Sequence, residues 1–348
     1  MRRQREQMLR DKVARIRSLI DDLLELDAVY STTRSVVMRG RPRVPVFDFQ
    51  TTASGRLAAA GYNYDIEVTR PPGLYGERVL LSVQLESAAK AAVPWLNILL
   101  FILTAITMYF TLGLAFTGWF LAILTFHEFG HFFAARYHGM DTSWPYFIPA
   151  PFFFFGTLGA VIRVRSPFRD RRSLFDMAVA GPIAGFVVSV VALVIGLSMS
   201  TVTSVADSTD SIMLGESLLF ELLEPLLVPG YQPGLTTLIH PIGFAGWAGL
   251  LVTMLNMLPM GQLDGGHIAY AMFGRHHRLI GAVVVLGLAV ASFWWLGWLL
   301  WVGIGLYMKL KHPPTLIDEI ELTKSRKILG WVAYAILILS FIPIPISI

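Results

Sequence analysis

Residues 114–136 read LAFTGWFLAILTFHEFGHFFAAR, an apolar run that carries His127-Glu128-Phe129-Gly130-His131 near its end. On a helix, residues four apart differ by about 40° in direction and about 6 Å in height, so His127 and His131 can reach one metal ion from one face. Glu128 stands beside them, where a carboxylate can take a proton from an attacking water. Ionisable groups are costly within a membrane helix, and their presence there indicates a functional site.

The composition is typical of a membrane protein. The sequence is 55% hydrophobic and only 15% charged, with a mean hydropathy of +0.60, whereas soluble proteins usually carry about 25% charged residues. No charged residue occurs between Lys90 and Glu128. The sequence contains no cysteine, which excludes disulfides and thiolate ligands, so any metal must be held by His, Asp, Glu or Asn. The charged residues 1–7 are not expected to be a cleavable secretory signal.

The polarity of the chain changes near residue 90. Residues 1–90 are polar and are predicted to form a small N-terminal α+β cytosolic domain, and residues 91–348 are predicted to form a membrane-embedded domain that carries the His-Glu-x-x-His motif. Apolar residues recur at helical spacing from Leu9 to Leu24, which predicts an amphipathic helix. Residues 78–86 alternate like a strand. The arginines of this region are expected to form a solvated face or to contact anionic lipid head groups.

Apolar runs of membrane length follow. They are residues 94–112, 114–136, 174–200, 242–260, 279–308 and 328–346. The run 279–308 is either one long tilted helix or two short helices that turn near residues 292–297. Basic residues at 163–172, 275–278 and 309–327, and the absence of Lys and Arg from residues 201–239, favour the two-helix form and seven crossings over six. The predicted fold is an α-helical polytopic membrane protein with six to seven transmembrane helices and a cytosolic N-terminus, in a bacterial inner membrane or, alternatively, an organelle membrane.

Residues 145–162 do not fit a regular membrane helix. They are very apolar but contain three prolines and two glycines, and proline disrupts a helix. Non-helical backbone at membrane depth must be sheltered by protein or by a water-filled cavity. The segment is therefore predicted to be a re-entrant loop or short membrane-embedded sheet beside the site, or alternatively an interfacial loop anchored by its aromatic residues.

Two shorter patterns concern helix packing and the surface. Gly181-Pro182-x-x-Gly185 lies in the run 174–200 and predicts close packing of that helix on a neighbour. His276 and His277 stand between Arg275 and Arg278, and this polar cluster predicts a cytosolic surface.

A third metal ligand is needed, because His127 and His131 leave a tetrahedral zinc ion short of one protein ligand. Asp264 is the candidate, since it is the only acidic residue between Glu224 and Asp318 and follows the apolar run 242–260 directly. Considered alone, such an aspartate is more typical of a helix cap or a solvated loop. The His-Glu-x-x-His helix elsewhere in the chain makes a ligand the stronger interpretation.

The two motifs together resemble a known family. His127-Glu128-Phe129-Gly130-His131 with Asn256-x-x-Pro259-x-x-x-Leu263-Asp264-Gly265 is similar to the site-2 protease family of intramembrane zinc metalloproteases, peptidase family M50. The resemblance covers roughly residues 95–345, and the polar N-terminal region is similar to that of the longer members. It implies Zn²⁺ held by His127, His131 and Asp264, with Glu128 as general base.

The resemblance also implies a place for the substrate. Asn256 would hold a substrate carbonyl or the oxyanion, or else make a structural hydrogen bond within the bundle. Gly156, Thr157 and Gly159 would belong to a strand that pairs with an unwound substrate segment by edge addition. A helical peptide bond is shielded, so unwinding has to come before attack.

The implied activity is hydrolysis of a peptide bond in or near the transmembrane segment of a membrane-anchored protein. The expected partners are that substrate and the lipid bilayer, with no nucleic acid, and no oligomeric state is predicted. Two alternatives are a non-proteolytic membrane adaptor of the same fold and a metal-binding or metal-transport membrane protein. A transporter should spread polar ligands over several spans, whereas here the candidate ligands gather with a glutamate suited to acid–base work.

Overall fold

The computed structural model describes residues 2–31, 35–69, 77–85, 94–203, 213–310 and 312–347, with side chains described from residue 7 onward. Lys90, which bounds the uncharged stretch before Glu128, and residues 204–212 of the segment without Lys or Arg lie outside the described residues. The chain divides into two compact units. The first holds Met1–Val93, Arg165–Asp170 and Thr315–Ile320, and the second holds Pro94–Val164, Arg171–Pro314 and Glu321–Ile348.

The first unit is built on a four-stranded antiparallel sheet with the strand order β1-β2-β4-β3. Its elements are α1 (Arg2–Ser18), β1 (Leu24–Ser31), β2 (Ser35–Pro42), α2 (Val46–Ala59), β3 (Asn63–Thr69) and β4 (Arg78–Gln84). Alternation along β2 sends Val36 and Met38 to one face, where they share a core with Ile16 of α1 and Phe49 of α2. The strand predicted over residues 78–86 is present as β4.

The second face of this sheet is covered by residues that are distant in sequence. Val37 and Leu80 pack against Leu316 and Ile317. Arg39 donates a hydrogen bond to the carbonyl oxygen of Leu316, and Asp170 forms a parallel bridge with Ile317. The unit therefore includes two segments that the apolar pattern assigned to the membrane-embedded part, while the cytosolic location of residues 1–90 stays a prediction.

The second unit is mostly helical. Its helices are α3 (Trp95–Tyr137), α4 (Arg171–Ser198), α5 (Leu218–Leu227), α6 (Pro241–Asn256), α7 (Asp264–Phe273), α8 (His277–Ala291), α9 (Trp298–Tyr307) and α10 (Lys324–Ser340). Its two-stranded sheets pair β5 (Tyr146–Pro149) with β6 (Thr157–Val161), β7 (Thr201–Thr203) with β9 (Thr236–Leu238), and β8 (Met213–Leu214) with β10 (Ile346–Ser347).

Among the described residues, three helical stretches are long and apolar enough to cross a membrane: α3, α4, and α7 with α8 taken together as Asp264–Ala291. Two shorter apolar helices are α6 and α9. The prediction of a helical membrane protein with small sheets is confirmed, and the count of six to seven crossings stays a prediction.

Helical structure is interrupted at two places that the sequence pattern suggests. Inside α3, Gly113 has φ 79° and ψ 177°, which is not helical. A positive φ is readily adopted only by glycine, and this break falls between the predicted runs 94–112 and 114–136. The long run 279–308 is likewise two helices, because α8 ends at Ala291 and α9 begins at Trp298.

The proline-containing segment 145–162 forms the antiparallel hairpin β5–β6, so a short sheet is present. The part of α3 before Gly113 anchors it at two places. The Asn97 amide donates to the carbonyl oxygens of Trp144 and Pro145 at 3.0 and 2.8 Å. The Thr107 hydroxyl donates to the carbonyl oxygen of Gly156 at 2.7 Å. The hairpin is thus held along the side of α3, the helix that carries the histidine motif.

The predicted surface position of the paired histidines is right for one of them only. His276 is exposed, but His277 is 5% exposed and lies 5.0 Å from the ring of Tyr270, measured between centroids. The prediction for His277 is wrong because this residue starts α8 and faces the helix packing, while its basic neighbours point to solvent.

Candidate metal centre

Helix α3 places His127 and His131 one turn apart on the same face, as their spacing requires. Their Nε2 atoms are 3.1 Å apart, and the two residues are only 3% and 5% exposed. The structure therefore brings both predicted ligands to one buried point.

Asp264 reaches this point from a different helix. It is the first residue of α7, and its Oδ2 atom lies 3.3 Å from the Nε2 atom of each histidine. The turn that joins α6 to α7 is tight, because a Cβ atom on Gly265 would stand 1.9 Å from the carbonyl oxygen of Met257. Only glycine allows this approach. Together, His127, His131 and Asp264 form a group that could hold a metal ion.

The protonation pattern of His131 favours a cation at this point. Its Nδ1 atom lies 2.7 Å from the carbonyl oxygen of Met177. A carbonyl can only accept, so we assign the hydrogen to Nδ1, and a neutral His131 then presents the Nε2 lone pair to His127 and Asp264. An imidazole lone pair and a carboxylate oxygen in such proximity repel one another unless a positive charge lies between them.

The spacing of the donor atoms fits zinc. In a tetrahedral site with metal–ligand bonds of about 2.0–2.2 Å, neighbouring ligand atoms are about 3.3–3.6 Å apart. The three separations here are 3.1, 3.3 and 3.3 Å. Two nitrogens and one carboxylate oxygen are also a donor set that zinc uses in catalytic sites, where three protein ligands leave one position open.

Glu128 lies next to the ligands and is itself buried, with 6% exposure. The backbone N–H of Ile162, the residue that follows β6, lies close to its carboxylate. This proximity connects the end of the hairpin to the motif helix. A buried carboxylate beside a metal site can act as a general base.

Asn256 is at the edge of the cluster. It is the last residue of α6, and its Nδ2 atom lies 3.4 Å from Nε2 of His127. This distance is long for a hydrogen bond.

Gly156, Thr157 and Gly159 lie in the hairpin. The Thr157 hydroxyl donates to the carbonyl oxygen of Ile148 at 2.8 Å and accepts from the N–H of Gly159 at 3.0 Å, so it ties the two strands together. In the part of the chain that the structure describes, β6 pairs with β5 on one edge and with no strand on the other. The strand is connected to the site through the contact between Ile162 and Glu128.

Helix α4 contacts the histidines more closely than the sequence indicates. A Cβ atom on Gly181 would stand 2.2 Å from Nε2 of His131, and one on Gly185 would stand 3.0 Å from Nδ1 of His127. Close packing was predicted from these glycines, but its partners, the two histidines, were not. The role of the Met177 carbonyl was missed as well, because a backbone group leaves no residue-type signal in a sequence.

Comparison with known proteins identifies relatives. The sequence model of peptidase family M50 matches residues 115–294. The chain is 36% identical over 236 residues to the probable zinc metalloprotease EGY1, chloroplastic, of Arabidopsis thaliana, covering 64% of this chain and 42% of that protein. It is 37% identical over 155 residues to the probable zinc metalloprotease EGY2, chloroplastic, of Oryza sativa subsp. indica, covering 44% and 28%. The chain thus spans less than half the length of these relatives.

The family match covers slightly more than half of the 348 residues and includes every predicted site residue. It also contains the hairpin β5–β6 and all of α4, the elements that surround the histidines. This agreement confirms the family that the two motifs resemble. The chain belongs to peptidase family M50.

Proposed function

We propose that the chain is an intramembrane zinc metalloendopeptidase, which cuts a membrane-anchored protein in or near its transmembrane segment. The observation that carries this proposal is the convergence of His127, His131 and Asp264, with donor atoms 3.1–3.3 Å apart, beside the buried carboxylate of Glu128. The names of the relatives, probable zinc metalloproteases, support the same activity.

The proposed chemistry assigns a role to each residue. Zn²⁺ held by His127, His131 and Asp264 would supply a Lewis acid and lower the pKa of water to about 7. Glu128 accepts the proton of the attacking water and later passes it to the leaving amine. Burial of Glu128 limits the access of bulk water to its carboxylate.

The substrate is proposed to lie in an extended form along β6. The edge of β6 that lacks a strand partner in the described residues offers backbone groups to an unwound substrate, as in other cases of strand addition. Gly156, Thr157 and Gly159 would shape this edge. Asn256 would donate its amide to the substrate carbonyl or to the oxyanion, since it adjoins His127.

The proposed setting is the lipid bilayer of a bacterial inner membrane, crossed six or seven times. Residues 1–90 are proposed to lie in the cytosol. The basic residues at 163–172, 275–278 and 309–327, together with the lack of Lys and Arg in 201–239, support this orientation.

The metal assignment is tested with Asp264→Asn. Wild-type chain purified in detergent should hold one zinc per chain, measured by elemental analysis and chelator competition. Asp264→Asn replaces an anionic carboxylate ligand by a neutral amide oxygen, so its zinc affinity should fall by at least the roughly 10–100-fold that changes to partners of the ligands produce. Glu221→Gln, on the exposed side of α5, is the matched control and should bind zinc normally. Unchanged zinc affinity in Asp264→Asn would contradict the proposal.

The role of β6 is tested with Thr157→Val, which keeps the shape of a side chain that is 2% exposed. It removes the partner of two partly buried backbone groups, the carbonyl of Ile148 and the N–H of Gly159, so we expect a loss of about 1–3 kcal/mol from the local stability of the hairpin. Since 1.4 kcal/mol corresponds to tenfold, kcat/KM for a membrane-anchored substrate should fall roughly tenfold, with zinc retained.

Thr111→Val serves as the control for this experiment, because the Thr111 hydroxyl bonds only within its own helix, to the carbonyl oxygen of Thr107. Normal cleavage by Thr157→Val would argue against β6 as the substrate edge. Loss of zinc in this variant would show that the change acts on the metal cluster instead.

A further inference from the structure

An ion-pair cluster lies on the side of α4 that also contacts the metal ligands. The Asp176 carboxylate accepts hydrogen bonds from Nε and Nη2 of Arg326, both at 2.7 Å. Nε2 of His138 lies 2.9 Å from the same carboxylate. The three side chains are 20–28% exposed, and they join α4 to α10 and to the residue that directly follows α3.

The cluster is adjacent to the bond that orients His131. Met177 directly follows Asp176, and its carbonyl oxygen accepts the hydrogen bond from Nδ1 of His131 at 2.7 Å. His131 and His138 are seven residues apart, about two helical turns, so His138, which directly follows α3, continues the face on which His131 lies. Two consecutive residues of α4 thus contact His131 and His138, which constrains both the axial position and the rotation of α4.

We propose that Asp176 is a positioning residue for the metal site. Its bonds to Arg326 and His138 hold α4 where the Met177 carbonyl meets Nδ1 of His131, and this keeps Nε2 of His131 directed at the metal. The inference rests on the proposed zinc site and extends it.

Three physical considerations support this role. Two parallel charge-assisted bonds between an arginine and a carboxylate fix orientation as well as distance. A shift of about 1 Å would lengthen the bond to Met177 beyond hydrogen-bonding range. Partners of the second histidine nitrogen typically change metal affinity by about 10–100-fold when they are altered.

The test compares variants of the full chain in detergent. Asp176→Asn and Arg326→Gln each break the paired bonds, and Arg326→Lys keeps the charge. Zinc affinity is measured by chelator competition, ligand geometry by the visible absorption of bound Co²⁺, and stability by thermal unfolding of the metal-free protein. Ile336→Val is the matched control, because Ile336 is buried in α10 but lies more than two turns from Arg326.

We expect Asp176→Asn and Arg326→Gln to lower zinc affinity about tenfold and to change the Co²⁺ spectrum, with Arg326→Lys closer to wild type. Ile336→Val should lower the unfolding temperature and leave both metal readouts unchanged. If Asp176→Asn and Arg326→Gln lose stability but bind zinc as wild type does, the cluster is structural only and the inference is overturned. If Asp176→Asn does not fold, the two Arg326 variants decide the question. Absence of zinc from the wild-type chain would instead overturn the proposed function.

Discussion

Glu128→Gln is expected to abolish cleavage of a membrane-anchored substrate while the protein keeps its zinc. The side chain is isosteric and is not one of the three ligands, so the metal cluster should form as in wild type. Glutamine cannot accept the proton of the attacking water, and general base catalysis contributes about 10²–10⁴-fold to rate. Because bulk water cannot easily replace a base that is 6% exposed, we expect a loss toward the upper end of this range.

The measurement is cleavage in detergent or vesicles of a single-span substrate with a tag at each end, alongside the zinc content of the same sample. Glu321→Gln is the control, since that carboxylate is 71% exposed and pairs with Lys327 on the surface. Cleavage by Glu128→Gln at the wild-type rate, with zinc bound, would remove Glu128 from the mechanism. A wild-type chain that binds zinc and cuts no membrane substrate would favour the adaptor alternative.

The helical part of the fold was largely predictable from local pattern. The runs 94–112 and 114–136 end on either side of Gly113, because glycine is both a weak helix former and the residue that accepts φ 79° there. The proline content of residues 145–162 likewise excluded a regular helix and left a sheet as one of two choices. These features depend only on residues that are neighbours in sequence, so they could be predicted from a single sequence.

Contacts between distant segments were not predictable in this way. Leu316 and Ile317 cover the sheet face that carries Val37 and Leu80. No sequence feature near residue 316 indicates that this segment packs on the sheet. The burial of His277 was missed for the same reason, since the flanking arginines were a local signal for solvent. Asp176 carries no local sign of its contacts, because its partners His138 and Arg326 are 38 and 150 positions away.

The site residues that could be predicted are those whose positions depend on neighbours in sequence. His127 and His131 follow from helical spacing alone. Asp264 could be predicted as a ligand only because it is an isolated acidic residue and because the histidine motif already indicated a metal site. The environment that orients His131, made by Met177 and Gly181, depends on how α4 packs on α3, and spacing within α3 carries no information about that packing.

Gly181→Ala is expected to disable the metal site through one added methyl group. The new Cβ atom would stand 2.2–2.4 Å from Nε2, Cδ2 and Cε1 of His131, far inside van der Waals contact, so the imidazole or the helix must move. Overpacking of this kind costs about 1–3 kcal/mol in stability. The larger effect is geometric, because the displaced ring can no longer keep both its bond to Met177 and its place 3.3 Å from Asp264.

Loss of a group that hydrogen-bonds a metal ligand lowers metal affinity roughly 10–100-fold. Zinc affinity in Gly181→Ala should fall by more than this, and cleavage should be lost with it. Chelator competition and Co²⁺ absorption measure the metal site, and thermal unfolding measures the fold. Gly118→Ala is the matched control, because Gly118 lies in α3 itself and a Cβ atom there meets no atom within 4 Å. Alanine is the better helix former, so this control should be neutral or slightly more stable, with normal zinc binding. If Gly181→Ala also binds zinc normally, α4 does not constrain His131, and both this prediction and the positioning role of Asp176 lose their common basis.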